Sequence, residues 1–250
     1  MTSIGEDSLI RNLFFLTENQ ATTANNLANV SSNGFKRRIS VPYEVGTRFE
    51  DQLQHYFAVS DSAQHVDWRV GNLIATDSPN NIALQDQHLF LKVRTKSGLD
   101  AYSRNGDLTV DPENRLSTRS GDLLLGESGE PVVIKPADGG PAVDFRDVRI
   151  SPNGSVEVRG SQIARLGLYR IDDLNSLQPV GGGSYTYFGS SKPVRAQTNA
   201  VLQTYLEQSN VESVHELVQM ISNQRGFQSS SSALQTLGKI KEAYATVFSS

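Results

Sequence analysis

The sequence predicts a mainly β protein with α: a central all-β domain of antiparallel hairpins flanked by long N- and C-terminal helices that pair and pack between subunits. Three observations carry this reading. Apolar residues recur at helical spacing near both ends of the 250-residue chain. Between them, short apolar runs alternate with turn residues. The turn residues at 98, 106, 114, 121 and 129 follow one another at steps of seven or eight, the rhythm of a meander.

Residues 8–29 read as the first helix, because Leu9, Leu13, Phe14, Ala21, Ala24, Leu27 and Ala28 recur at threes, fours and sevens without Gly or Pro inside. Its apolar stripe is narrow, and the remainder is rich in amides: Asn19, Gln20, Asn25, Asn26 and Asn29. Ser31 to Gly34 supply residues that tolerate the left-handed conformation in which helices stop. The helical segment and its stop make a first region, 1–35. Residues 36–69 lack a sustained period and read as an extended connector. From 70 to 200 the strand-like runs are 89–93, 108–110, 123–125, 132–134, 148–150, 156–158 and 163–171. Gly181 to Gly183 and Ser190 to Pro193 mark loops that end this region.

The last region, 201–250, returns to helical period from about 211 to 248. Asn210 or Ser213 is placed to cap it, and Val214, Leu217, Val218 and Ile221 begin a stripe continued by Leu234, Leu237, Ile240 and Tyr244. Such a helix is on the order of 57 Å long at 1.5 Å per residue. That exceeds what a small β domain covers, so most of it must pack elsewhere. Helices with so little apolar surface draw their stability from packing. Two such ends that pair only with each other or with neighbouring copies point to polymerisation.

Composition removes several classes of function. The chain has 23 Lys+Arg against 27 Asp+Glu and a net charge of −4, so nothing pulls it in bulk toward nucleic acid. With no cysteine, disulfides, thiolate metal sites and cysteine catalysis are excluded. Glu6 and Asp7 precede a short apolar run, Leu13 to Leu16, where a cleaved secretory signal needs a basic start and a longer core. No apolar run nears the roughly 20 residues of a membrane span. His215-Glu216-Leu217-Val218-Gln219 begins like a helical zinc motif, but Gln219 stands where the second histidine is required. No phosphate loop or nucleophile elbow is present. The expectation is a protein without enzymatic activity, cofactor or metal.

Both ends resemble one family. The run from Gln20 to Arg37, with Asn25-Asn26-Leu27-Ala28-Asn29-Val30 and Asn33-Gly34-Phe35-Lys36-Arg37, is similar to the N-terminal signature of the flagellar rod and hook axial proteins. Leu206-Glu207-Gln208-Ser209-Asn210-Val211, then Glu216-Leu217-Val218-Gln219-Met220-Ile221 and Gln224-Arg225-Gly226-Phe227, resembles the C-terminal signature. Tyr102 to Asp111 resembles the family's central strand pair. At 83–93 the two glycines of the family's pattern are replaced. The resemblance is strongest to the proximal rod proteins, because only the short 39–70 stretch follows the GFKR segment; the distal rod is the alternative.

The resemblance implies a structural subunit of the periplasm-spanning basal-body rod. It implies export through the flagellar type III apparatus without a cleaved signal peptide, and helical stacking with copies of itself and with other rod and hook axial proteins. It marks Asn25, Asn26, Leu27, Asn29, Gly34, Phe35, Asn210, Val211, Met220, Ile221, Arg225 and Phe227 as assembly residues, with Leu234 and Leu237 on the same C-terminal stripe. Asn25, Asn26 and Asn29 are expected to be buried between subunits as a polar seam that fixes register. Lys36-Arg37-Arg38 is expected to face the negative end of the first helix, with ion pairing between subunits. A reading from a different class makes the β core a periplasmic glycan-binding module, with Trp68, Tyr102, Tyr169, Tyr185 and Tyr187 as stacking residues.

Overall fold

The computed structural model describes residues 4–41, 64–135 and 145–248. The middle of the expected connector, 42–63, lies outside the described residues. The protein is mainly β with a helix at each end. It divides into two compact units, which interleave along the chain.

The first unit holds both helices, α1 (Ile4–Ala28) and α2 (Ser213–Phe248), with a ribbon of β1 (Arg38–Ser40) and β2 (Gln64–Val66). β1 and β2 pair antiparallel, Arg38 opposite Val66. The two flanks of the expected connector are thus tied to each other. α1 ends where Asn29 and Ser32 form a turn, the Ser32 amide donating to the Asn29 carbonyl at 3.1 Å. Inside α1 the hydroxyls of Thr17 and Thr23 donate back to the carbonyls of Leu13 and Asn19, which keeps short polar side chains compatible with a helix.

The second unit comprises Asn29–Arg37 and the described part of Asp67–Asn210. Its largest sheet runs β14 (Leu177–Gly181), β15 (Ser184–Tyr187), β6 (Asp100–Ser103), β5 (Leu89–Arg94), β9 (Leu123–Leu124), β8 (Leu116–Thr118), β7 (Leu108–Val110), with β13 (Leu168–Arg170) pairing β5 and β16 (Val194–Arg195). All its pairings are antiparallel. A second sheet joins β10 (Val148–Ile150), β11 (Ser155–Val158) and β12 (Ser161–Arg165). One apolar core runs through both, from Leu91, Val93 and Leu108 to Val148, Val156 and Leu168.

Two departures from the sequence reading matter for function. The expected run 163–171 is two strands, broken where the Gly167 amide turns to Leu125. Residues 201–207, assigned above to the C-terminal helical region, are strands: β17 (Val201–Gln203) pairs β4 (Ile82–Leu84), and β18 (Tyr205–Glu207) pairs β3 (Leu73–Ala75). The reason is local. Val201 and Glu207 are buried with half-buried residues between them, and Thr204 at φ +67° breaks the run into two short strands rather than letting it coil.

Candidate functional site

In the helical unit, α1 and α2 meet antiparallel along a seam that is largely polar. Asn12 Nδ2 donates to Ser230 Oγ at 3.0 Å, Asn19 Nδ2 to Asn223 Oδ1 at 3.2 Å, and Asn26 Nδ2 to Glu216 Oε2 at 3.2 Å. The donors stand seven residues apart on α1 and the acceptors seven apart on α2, so the hydrogen bonds form rungs repeating every two turns. Between the first two rungs Leu16 lies against Gly226, where an added Cβ would come within 3.3 Å of its methyls. Glycine there lets the helices approach closely.

Asn26 is 1% exposed and serves two elements. Besides reaching Glu216, its amide group donates to the Arg38 carbonyl at 2.8 Å and accepts from the Arg38 amide at 2.9 Å, as a strand backbone would. The neighbouring Thr22 hydroxyl accepts from Ser40.

While polar groups fill the seam, apolar side chains of α2 face away from it. Val214, Leu217, Val218 and Ile221 are all exposed, Val214 at 73%, and so are Phe227, Ile240 and Tyr244. Water-soluble helix pairs put their apolar stripe inside. This pair has the opposite polarity over the first turns of α2.

In the β unit, a second polar centre joins three stretches distant in sequence. Glu207, on β18, lies between two cations, with all three side chains fully buried. Lys36 Nζ donates to Glu207 Oε1 and, at 2.6 Å, to the Arg69 carbonyl. The Arg104 guanidinium contacts Glu207 Oε2 at 2.8–2.9 Å and donates to the carbonyls of Asp86, Leu89 and Leu84 at 2.7, 2.7 and 2.9 Å. Four of its five N–H donors are thus hydrogen-bonded, and Nη2 also ion-pairs with Glu207. The Gly71 amide donates to Glu207 Oε1 and the Gly34 amide to the Glu207 carbonyl. Burial pushes the Lys36 ammonium down to about 8, with Glu207 opposing and Arg104 adding to the shift. Next to this centre, Asn210 accepts from the Arg37 amide at 2.7 Å and donates to the carbonyls of Asp67 and Arg69. It fastens loops instead of capping α2, which starts three residues later.

The residues singled out from sequence divide between these centres. Asn26 is buried within one chain, so the expected seam between subunits is, for this amide, a seam between the chain's own helices. Asn25 is exposed, while Leu27 and Asn29 are half-buried. Gly34, at φ +69°, and Phe35, 6% exposed, sit in the β unit with Asn210. Val211 is buried, Met220 half-buried, and Ile221, Arg225 and Phe227 are exposed. Leu234 and Leu237 are half-buried, which makes them poorer outward contacts than Ile221. Lys36 does not face a helix end: it is an internal partner of Glu207. Arg104 and Glu207 were missed, although each stood inside a recognised motif; only Glu207, a carboxylate ending the strand-like run Tyr205-Leu206, carries a local signal, and Arg104 in its polar turn carries none.

The stacking residues expected for glycan binding are partly unavailable. Trp68 is buried edge-on between Phe90 and Tyr185, with ring centres 5.6 and 4.9 Å away, and Tyr185 is buried too. Tyr102 and Tyr169 pack edge-to-face at 5.8 Å.

Two segments match known families. Residues 202–245 match the family described as flagellar basal body rod FlgEFG protein C-terminal, and residues 88–158 the flagellar hook protein FlgE/F/G D1 domain. The chain is 30% identical to the flagellar basal-body rod protein FlgF of Escherichia coli over 215 residues, covering 84% of each chain. It belongs to the flagellar basal-body rod family. Rod proteins FlgF of Caulobacter vibrioides and FlgG of Buchnera aphidicola are each 28% identical, over 87% of this chain and 91% and 89% of theirs. As a member of the rod family the chain is a structural subunit of the basal body, not an enzyme. The rod-family signatures have a structural meaning here. Asn26 pairs the helices, while Lys36, Arg104 and Glu207, one from each signature stretch, meet in one buried ion cluster.

Proposed function

We propose that this rod subunit assembles helically with copies of itself and with other rod and hook axial proteins through the outward faces of its terminal helices. The observation that carries the reading is the reversed polarity of the helix pair. Hydrogen-bonding side chains occupy the seam while Val214, Leu217, Val218 and Ile221 face out. Fully burying one such side chain contributes about 1.5–3 kcal/mol. Four on one stretch of helix supply a contact that water does not favour leaving open. A face that meets a different face on the next copy builds an open helical array. Asn25, Ile221, Arg225 and Phe227 belong to this surface, with the half-buried Met220, Leu234 and Leu237 at its margin.

The proximal rod is the proposed position, supported by the short 39–70 stretch after the GFKR segment; a distal position is the alternative. Export by the flagellar type III apparatus without a cleaved signal peptide follows from the same reading.

The test is Val218→Asp and Ile221→Asp, each at an exposed position. Both variants are expected to be made, exported and folded like the wild type, yet to be missing from isolated rods and to leave cells without hooks. Normal rods containing either variant would show that this face meets solvent.

A further inference from the structure

The buried ion cluster has a feature that assembly does not require. Two cations, Lys36 and Arg104, share a single carboxylate, and each of the three groups comes from a different stretch of chain. Arg104 belongs to the segment after β6, within the main sheet. Lys36 lies in residues 29–37, which follow α1, and Glu207 in residues 201–210, which precede α2. Those two flanking segments also hold one another through the backbone. The Gly34 amide donates to the Glu207 carbonyl at 2.8 Å, and the Arg37 amide to the Asn210 side chain at 2.7 Å.

Lifting residues 201–210 away removes the only carboxylate ion-paired to Lys36 and Arg104 among the described residues. Both cations are then left buried without an ion-pair partner, a far less favourable state than the paired one. Lifting 29–37 alone leaves the Gly34 and Arg37 bonds unmade while Glu207 keeps Arg104. Neither partial state is well compensated. Release of both segments together at least lets Lys36 and Glu207 reach water.

We propose that Glu207 is a clasp that makes residues 29–37 and 201–210 dock onto the β unit as one cooperative event, so that the two ends of the chain are held or released together. β3 and β4 add to this. Their ladder partners in these sheets are β18 and β17, so the strap 201–210 is also what completes them. The clasp is a property of the single chain and does not depend on how subunits assemble.

Native-state amide exchange on the full-length protein tests it. Gly34 and Arg37 report on the first segment; Thr204, whose amide donates to Asn81, and Gln208, whose amide donates to Asn72, report on the second. In the wild type all four are expected to show the same protection and the same dependence on denaturant. In Glu207→Gln all four should exchange at least tenfold faster, while Leu125 and Val132, whose amides donate to the Lys92 and Leu124 carbonyls of the main sheet, keep their rates. In a Lys36→Met background the added effect of Glu207→Gln should shrink, because only one cation is then left unpaired. Different protection for the two segments in the wild type would overturn the proposal, and that comparison needs no variant to fold. So would a Glu207→Gln effect confined to 201–210, spread evenly over the main sheet, or unchanged by Lys36→Met.

Discussion

Gly34 and Arg104 touch backbone to backbone. A Cβ placed on Gly34 would lie 2.6 Å from both the carbonyl carbon and the carbonyl oxygen of Arg104, and Gly34 is also at φ +69°. A substitution there meets a conformational cost and a wall that cannot rotate aside. Gly98 is the control, because it has φ +83° and nothing within 4 Å of its virtual Cβ. Gly98→Ala should cost about 1 kcal/mol, the left-handed penalty alone. Gly34→Ala should cost clearly more, and denaturant unfolding of the two variants measures the difference. The loss belongs to the β unit, so Gly34 variants are expected to fail in folding before they fail in assembly.

The charge cluster should respond unequally to its two ends. Lys36→Met removes one of two cations from a carboxylate that keeps Arg104, and replaces a buried ion with apolar volume, so stability should change by no more than about 1 kcal/mol in either direction. Glu207→Ala leaves two buried cations unpaired and should cost on the order of 3–5 kcal/mol. Equal losses in thermal melts of the two variants would contradict this account.

Alkaline titration should show two opposed windows. The buried Lys36 gives up its proton near 8, whereas in the unfolded chain the group holds it to 10.5. Between those values the unfolded state binds more protons, so this group makes stability rise with pH from about 8 to 10.5. Tyr102, pushed up to about 12 from 10.0 by burial, with Tyr169 and Asp100 adding, acts the other way. Its contribution is present below pH 10 and is lost as pH rises toward 12. Stability measured against pH should therefore rise and then fall, and Lys36→Met should remove the rise but keep the fall.

Chain length offers a coarser check. A chain ended after residue 200 lacks β17, β18 and Glu207, and is expected to have no cooperative unfolding transition. One ended after residue 212 keeps all three and should unfold cooperatively by near-UV circular dichroism. That outcome would place the end of the β region about ten residues beyond the expected 200.

The amide rung at Asn19 and Asn223 leaves the Asn223 Nδ2 buried and without a partner. Replacing both residues with Leu should raise the melting temperature of the helical signal, since a part-satisfied buried amide pair gives way to apolar packing. The cost is uniqueness, as with polar core positions in coiled coils. Cysteines placed at Leu16 and Gly226 should cross-link cleanly in the otherwise unchanged protein, and less cleanly in the double-Leu background.

Periodic signals were legible in the sequence and paired ones were not. α1 and α2 stand close to the expected 8–29 and 211–248, because helical spacing is a property of one segment. The hairpin rhythm also held: residues 98, 114, 121 and 129 all have positive φ. What could not be read is which residue meets which. Asn26 looked like one amide among several, yet it alone of the NNLAN amides is buried, because Arg38 returns beside it through β1. Lys36 sat in a basic triplet whose neighbours are partly solvated, and nothing local tells that Glu207 closes over it. β17 and β18 are three residues each, too short for a period-2 pattern to stand out from the helix that follows.

The seven-residue ladder between α1 and α2 is, by itself, ambiguous. Sliding one helix along the other by a heptad would set Asn12 opposite Asn223 and Asn19 opposite Glu216, pairs able to bond as well as the native ones. A repeat of this kind behaves like a graduated scale without a printed zero. The zero is supplied off the scale, by Leu16, which would have to trade glycine for the bulk of Gln219, and by Asn26, whose grip on the Arg38 backbone cannot slide. An insertion or deletion in either helix therefore acts as a frameshift against these two marks, and no multiple of seven between them restores the frame.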